Sequence, residues 1–154
     1  MIRKVRRKDR EISYEQATQL LAEGEYGFLA TVGPDGQPYG VPLNYVFADN
    51  ALYFHCALEG HKLENINANN KVSFCVVGKT KVLPDKFSTE YESALAFGTA
   101  SVVQGEERYK ALLSIVEKYS PDFMEEGKKA IAQYDDKTVV IKVDINHITG
   151  KSRK

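Results

Sequence analysis

The sequence predicts a mainly β protein, a small antiparallel barrel of six strands with a few flanking α-helices. Three observations carry this: short runs rich in β-branched and aromatic residues recur along the chain, turns rich in Gly, Pro, Asp and Asn separate them, and few segments have helical apolar spacing. So many short strands would leave unpaired edges, and closure into a barrel removes them. A two-sheet sandwich satisfies the same pattern.

The elements follow in order. Ser13-Tyr-Glu-Gln16 has the form of a capping box, with Ala17, Leu20 and Leu21 at helical spacing and Gly24 as the stop, which predicts a helix over residues 14–23. Residues 26–32 and 39–47 read as strands on either side of the turn Gly33-Pro-Asp-Gly36. Ala48-Asp-Asn50 then leads into a third strand over 51–56, so the three form an antiparallel meander. A short helix is expected over 61–68, strands over 71–78 and 94–104, and a long polar connection over 79–93. Tyr109, Leu112, Leu113 and Val116 make one face of a helix over 106–118. Ser120-Pro121 restarts a helix, with Ser as N-cap and Pro at its first position. Residues 138–145 alternate as a final strand, and Gly150-Lys-Ser-Arg-Lys154 reads as a basic tail.

Length and composition point to one domain over residues 1–154, with a basic arm over 1–12 and a C-terminal tail over 146–154. The 43% hydrophobic and 27% charged fractions are ordinary for a globular chain. No apolar run approaches the ~20 residues of a membrane span, and the basic start lacks the apolar segment of a signal peptide, so a cytoplasmic location is expected. Cys56 and Cys75 lie in apolar strand-like runs without a C-x-x-C spacing, which favours reduced thiols over a disulfide. His55, His61 and His147 show no H-x-x-x-H spacing, which disfavours a metal enzyme. The net charge is zero, yet Arg3, Lys4, Arg6, Arg7, Lys8 and Arg10 crowd the start of the chain. No nucleic-acid-binding motif follows, so the arm reads as a solvated tail or a contact to a partner subunit.

The segment Gly60-His61-Lys62 is the most informative. Cations in a first helical turn oppose the helix macrodipole, and beside unbonded N–H groups they suit an anion such as a phosphate. A surface turn with a merely solvated Lys62 remains the plain alternative.

Seven motifs occur in order: Arg7-x-x-Arg10-Glu-Ile, Tyr26-Gly-Phe-Leu-Ala30, Asp35-Gly-x-Pro-Tyr-x-x-Pro42-Leu-Asn-Tyr45, Leu52-Tyr-Phe-His-Cys-Ala57, Gly60-His-Lys62, Tyr91-Glu-Ser93 and Lys118-Tyr-Ser-Pro-Asp122. Together they resemble the 5-nitroimidazole-resistance (Nim-type) branch of the pyridoxamine 5′-phosphate oxidase-like proteins, over nearly the whole chain. The resemblance implies a six-stranded split β-barrel and a homodimer with FMN at the subunit interface. It places the flavin phosphate at His61 and Lys62, with His55, Cys56 and Ala57 beside them, and the ring along Val41, Pro42, Leu43 and Asn44. Asn44 can donate or accept at the polar edge of the ring. His55 on an apolar strand also has a plain reading as a satisfied histidine, and Pro42 as the mark of a strand edge.

The chain departs from the vitamin-processing oxidases of the wider superfamily, which carry Arg at the position of Tyr39 and Lys at that of Asn44, and have a C-terminal substrate-binding segment. The resemblance therefore implies reduction of a small acceptor, such as a nitroimidazole or other nitroaromatic, with electrons from a nicotinamide cofactor, in preference to pyridoxamine phosphate oxidation. A non-catalytic flavin carrier or sensor, or a heme protein ligated through His55 or His61, is the alternative.

Overall fold

The computed structural model describes residues 2–154. Helix α1 (Tyr14–Glu23) starts at the capping box: the Gln16 amide donates to Ser13 Oγ at 3.1 Å and the Ser13 amide to Gln16 Oε1 at 3.0 Å. It ends at Gly24, which needs to be glycine because a Cβ there would lie 2.4 Å from the Tyr45 hydroxyl. The strands are β1 (Gly27–Val32), β2 (Pro38–Leu43), β3 (Val46–Ala48), β4 (Ala51–Cys56), β5 (Lys71–Leu83), β6 (Ser88–Val103) and β7 (Val139–Arg153). Between them lie α2 (His61–Ala68), α3 (Gly105–Tyr119) and α4 (Met124–Gln133).

All seven strands form one antiparallel sheet in the order β2-β1-β5-β6-β7-β4-β3. β2 and β3 are its two edges, yet only Asn44 and Tyr45 join them in the chain. Three Cα steps span at most about 11 Å, so the sheet curls until its edges meet. They meet without pairing, which is a split barrel.

Alternating residues fill the interior: Leu29 of β1, Leu52 and Phe54 of β4, Phe74 and Val76 of β5, and Ile141 and Val143 of β7 are buried together. Ala17 and Leu21 of α1 and Leu63 and Ile66 of α2 join this core. Asn65 of α2 is buried and donates through Nδ2 to Thr31 Oγ1 at 3.0 Å, pinning that helix to β1. A second core lies on the other face of β4 and β7, where Ala51, Tyr53 and Val140 pack against Ala111 and Leu112 of α3.

The structure corrects several expectations. There are seven strands, because the predicted strand over 39–47 breaks at Asn44–Tyr45, and its halves lie on opposite edges instead of in a meander. The predicted polar connection over 79–93 is a hairpin, with Thr80 opposite Tyr91 and Leu83 opposite Ser88. Its β5 side is largely exposed and its β6 side half-buried at every residue, so neither shows apolar alternation. Tyr91-Glu-Ser93 accordingly lies within β6. The predicted tail is also strand: β7 runs to Arg153, opposite Tyr91. Polar residues there follow from the same half-exposed setting. Ser120 makes no side-chain cap; Pro121–Phe123 is a 3₁₀ turn and α4 starts at Met124. The basic arm docks on its own barrel, where the Ile12 amide donates to Gly150 O at 3.1 Å and Val5 is buried. Cys56 is buried and Cys75 half-buried, and both are free thiols.

Candidate functional site

The start of α2 is open. No side chain caps it, and its first backbone bond runs from the Glu64 amide to Gly60 O at 3.1 Å. The amides of His61, Lys62 and Leu63 are therefore the orphan donors of a helix N-terminus. Gly60 has φ +150°, a conformation other residues rarely adopt, and a Cβ there would meet nothing within 4 Å. The His61 ring stacks on the Tyr39 ring, with centroids 3.9 Å apart and planes inclined by 29°. This contact joins edge strand β2 to the mouth of α2.

The end of β4 completes that mouth. β3 pairs only with Ala51–Tyr53, so Phe54, His55 and Cys56 have no neighbouring strand on that side. Alternation turns Phe54 and Cys56 into the barrel and leaves His55 outside it. His55 is exposed on this outer side, yet partial desolvation by the neighbouring protein lowers its pKa, and the nearby Lys62 ammonium lowers it further. Burial raises the Cys56 pKa, with Lys62 acting in the opposite direction. Half-buried Lys62 is thus the charge that both strand residues feel. The raised pKa of Cys56 makes a thiolate nucleophile a poor reading of this site.

Along β2, Val41 and Leu43 are half-buried and pack on the core, while Pro42 is exposed opposite Phe28. Pro42 lies on an edge strand, where a missing N–H is tolerated. Asn44 is exposed at the corner, and the next residue, Tyr45, is fully buried with its hydroxyl donating to Leu21 O. The C-terminus of α3 clasps this corner. Lys118 Nζ donates to Tyr45 O at 2.8 Å and lies 3.9 Å from the Tyr45 ring centroid. The Tyr119 hydroxyl accepts from the Tyr45 amide at 3.0 Å. Burial lowers the Lys118 pKa, so an ammonium is held there at a desolvation cost.

Of the residues singled out in the sequence, His55, Cys56, His61 and Lys62 come together. Ala57 is exposed on the link from β4 to α2. Val41, Pro42, Leu43 and Asn44 belong to the adjoining edge and reach the cluster through Tyr39. In the sequence, Tyr39 stands out only as a motif member and as a departure from a family pattern, and Lys118 and Tyr119 only as motif members without a role. The motif Lys118-Tyr-Ser-Pro-Asp122 held that signal, but its partner, Tyr45, lies more than seventy residues away.

The family model for pyridoxamine 5′-phosphate oxidase matches residues 13–152. The chain belongs to that family. Among solved structures similar to this oxidase-family chain is a candidate 5-nitroimidazole antibiotic resistance protein from Bacteroides thetaiotaomicron, with a TM-score of 0.74 and 25% identity, covering 92% of this chain and 85% of that one. A FAD-binding protein from Mesorhizobium loti has a TM-score of 0.67 at 24% identity, covering 94% and 98% of the two chains. A FAD and heme binding protein from Mycobacterium smegmatis has a TM-score of 0.78 at 20% identity, covering 94% and 74%. The last two likenesses concern the fold. No curated protein sequence matches the chain. The first agrees with the Nim-type branch to which the motifs pointed. No helix among the described residues is long and apolar enough to cross a membrane.

Proposed function

We propose that this member of the oxidase family is an FMN-binding flavoprotein, a homodimer with its flavin at the subunit interface, which passes electrons from a nicotinamide cofactor to a small acceptor such as a nitroaromatic. One observation carries the reading: the uncapped start of α2, with Lys62 beside it, faces an unpaired stretch of β4 and is tied to edge strand β2 by the Tyr39–His61 stack. Family membership and the flavin-binding neighbours support it.

The residues present suit a flavin phosphate. Three orphan amides and a lysine offer both directional donors and positive charge, and the side-chain-free approach at Gly60 leaves room for oxygens. The ring would lie along Val41, Pro42, Leu43 and Asn44, an edge with apolar surface and one amide side chain. Bound there, the flavin would supply hydride and electron transfer. The chain would bind the phosphate, orient the ring through Asn44 and the β2 backbone, and shield one face of it. His55, with its lowered pKa, would add a neutral hydrogen-bonding group close to Lys62. This scheme asks no nucleophile of the protein. Pyridoxamine phosphate oxidation is not favoured, because Tyr39 and Asn44 stand where the vitamin-processing relatives carry basic residues.

The test is a visible spectrum of freshly purified protein, followed by chromatography of any chromophore released on denaturation. FMN near one per chain supports the proposal, a Soret band redirects it to heme, and a colourless protein that cannot be reconstituted with FMN removes it.

A further inference from the structure

α3 and α4 enclose a groove of about 510 Å³ on the outside of the barrel, next to His55. The helices approach closely at Gly127, where a Cβ would clash with the Val116 side chain, and both residues line the groove. Leu112, Ile115, Val116 and Ile131 are among its apolar lining. The volume falls within the range of small-molecule sites. Phe123 and Tyr134, exposed by 61% and 51%, also line it, so two of the chain's exposed aromatics converge on one concavity. The segment behind Tyr134 is held: Arg108 donates to Asp135 O at 2.9 Å and to Thr138 O at 2.8 Å.

The groove contrasts with the neighbouring mouth of α2. Its charged lining residue is a carboxylate, Glu126, whereas Lys62 and free amides mark the other site, and His55 borders both. We propose that the α3–α4 groove is the binding site for the acceptor, a neutral, flat aromatic molecule such as a quinone or nitroheteroarene, with His55 at the junction with the flavin site. The inference rests on the flavoprotein reading for its functional meaning. Aromatic walls suit a planar ring, the apolar lining suits a neutral body, and Glu126 disfavours an anion. Lowering of the His55 pKa by partial desolvation and by Lys62 favours an uncharged imidazole, which can hydrogen-bond a nitro or carbonyl oxygen.

The experiment titrates the protein as purified with menadione, and in parallel with 1,2-naphthoquinone-4-sulfonate, following the methyl resonances of Leu112, Val116 and Ile131. Menadione should shift these methyls, the sulfonate should bind more weakly, and Ala130→Trp, an exposed α4 position lining the groove, should weaken menadione by about tenfold or more. Methyl shifts confined to other parts of the protein, equal affinity for the sulfonate, or unchanged affinity in a folded Ala130→Trp protein would each overturn the assignment. Flavin content, measured on the same samples, separates the two readings. Menadione bound in the groove of a protein that takes no FMN keeps the binding site and removes the flavoprotein; FMN retained with menadione bound elsewhere does the reverse.

Discussion

Tyr39 and His61 stack with ring centroids 3.9 Å apart, although one lies on an edge strand and the other opens a helix 22 positions later in the chain. The pair holds β2 against the mouth of α2, so the strand proposed to carry the flavin ring and the helix proposed to hold its phosphate are spaced by one contact. Tyr39→Ala removes the stack. Flavin affinity should fall by about fivefold, at the cost of a single aromatic pair, ~1 kcal/mol. Equilibrium dialysis with FMN measures it, and an unchanged affinity would detach Tyr39 from the site.

Lys62→Glu reverses the charge that both His55 and Cys56 feel. The folded variant should retain no FMN through purification, while its melting temperature changes little because Lys62 is only half-buried. Undiminished flavin in that variant would defeat the phosphate assignment.

His55 links stability to pH. Its folded pKa is held below the ordinary 6.5, so the unfolded chain binds this proton more readily. The contribution is present above about pH 6.5 and is lost as pH falls through that value toward the folded pKa. Chemical denaturation of wild type and His55→Gln between pH 7.5 and 5 should show a smaller loss in the variant. Parallel curves would mean that the protein does not lower the His55 pKa.

Lys118 clasps the corner between the two sheet edges through the Tyr45 carbonyl and ring. Lys118→Met keeps the length of the side chain and removes the donor, and the variant should lose about 1–3 kcal/mol in urea unfolding. Its flavin affinity should fall as well, since Asn44 precedes Tyr45. A loss of stability with unchanged FMN binding would confine the clasp to folding.

The outer face of β1 and β5 exposes Phe28 and Val77 by 45% and 51%, with Tyr26 packed edge-on to Phe28. An apolar sheet face of this kind is the expected contact of the proposed homodimer. Phe28→Glu should sediment as a 17.3 kDa monomer and release its flavin. A variant that remains dimeric would move the interface to another face.

Much of the local structure was legible. The capping box placed the start of α1 at Tyr14, and the Gly turn placed α2 at His61–Ala68, because helix starts depend on residues within one turn of each other. The core strands showed themselves by apolar runs. The hairpin arm and the end of β7 did not, since strands with exposed faces carry no period of two for the eye to find. Of the site, His55, His61 and Lys62 were readable because they flank one turn, so chain proximity gives spatial proximity.

By itself, then, the sequence determined where α1 and α2 start, which core segments are extended, and that the first turn of α2 carries Lys62 at a helix N-terminus. Tertiary structure decided the rest. A strand's own residues do not state its neighbour, and only the curl of the whole sheet puts β2 and β3 at opposite edges and seals them with Tyr45, Lys118 and Tyr119. The same curl sets Tyr39 on His61 and places His55 outside the barrel against the groove of α3 and α4. These relations span tens of residues, and they arise from register and packing, which local propensity does not encode.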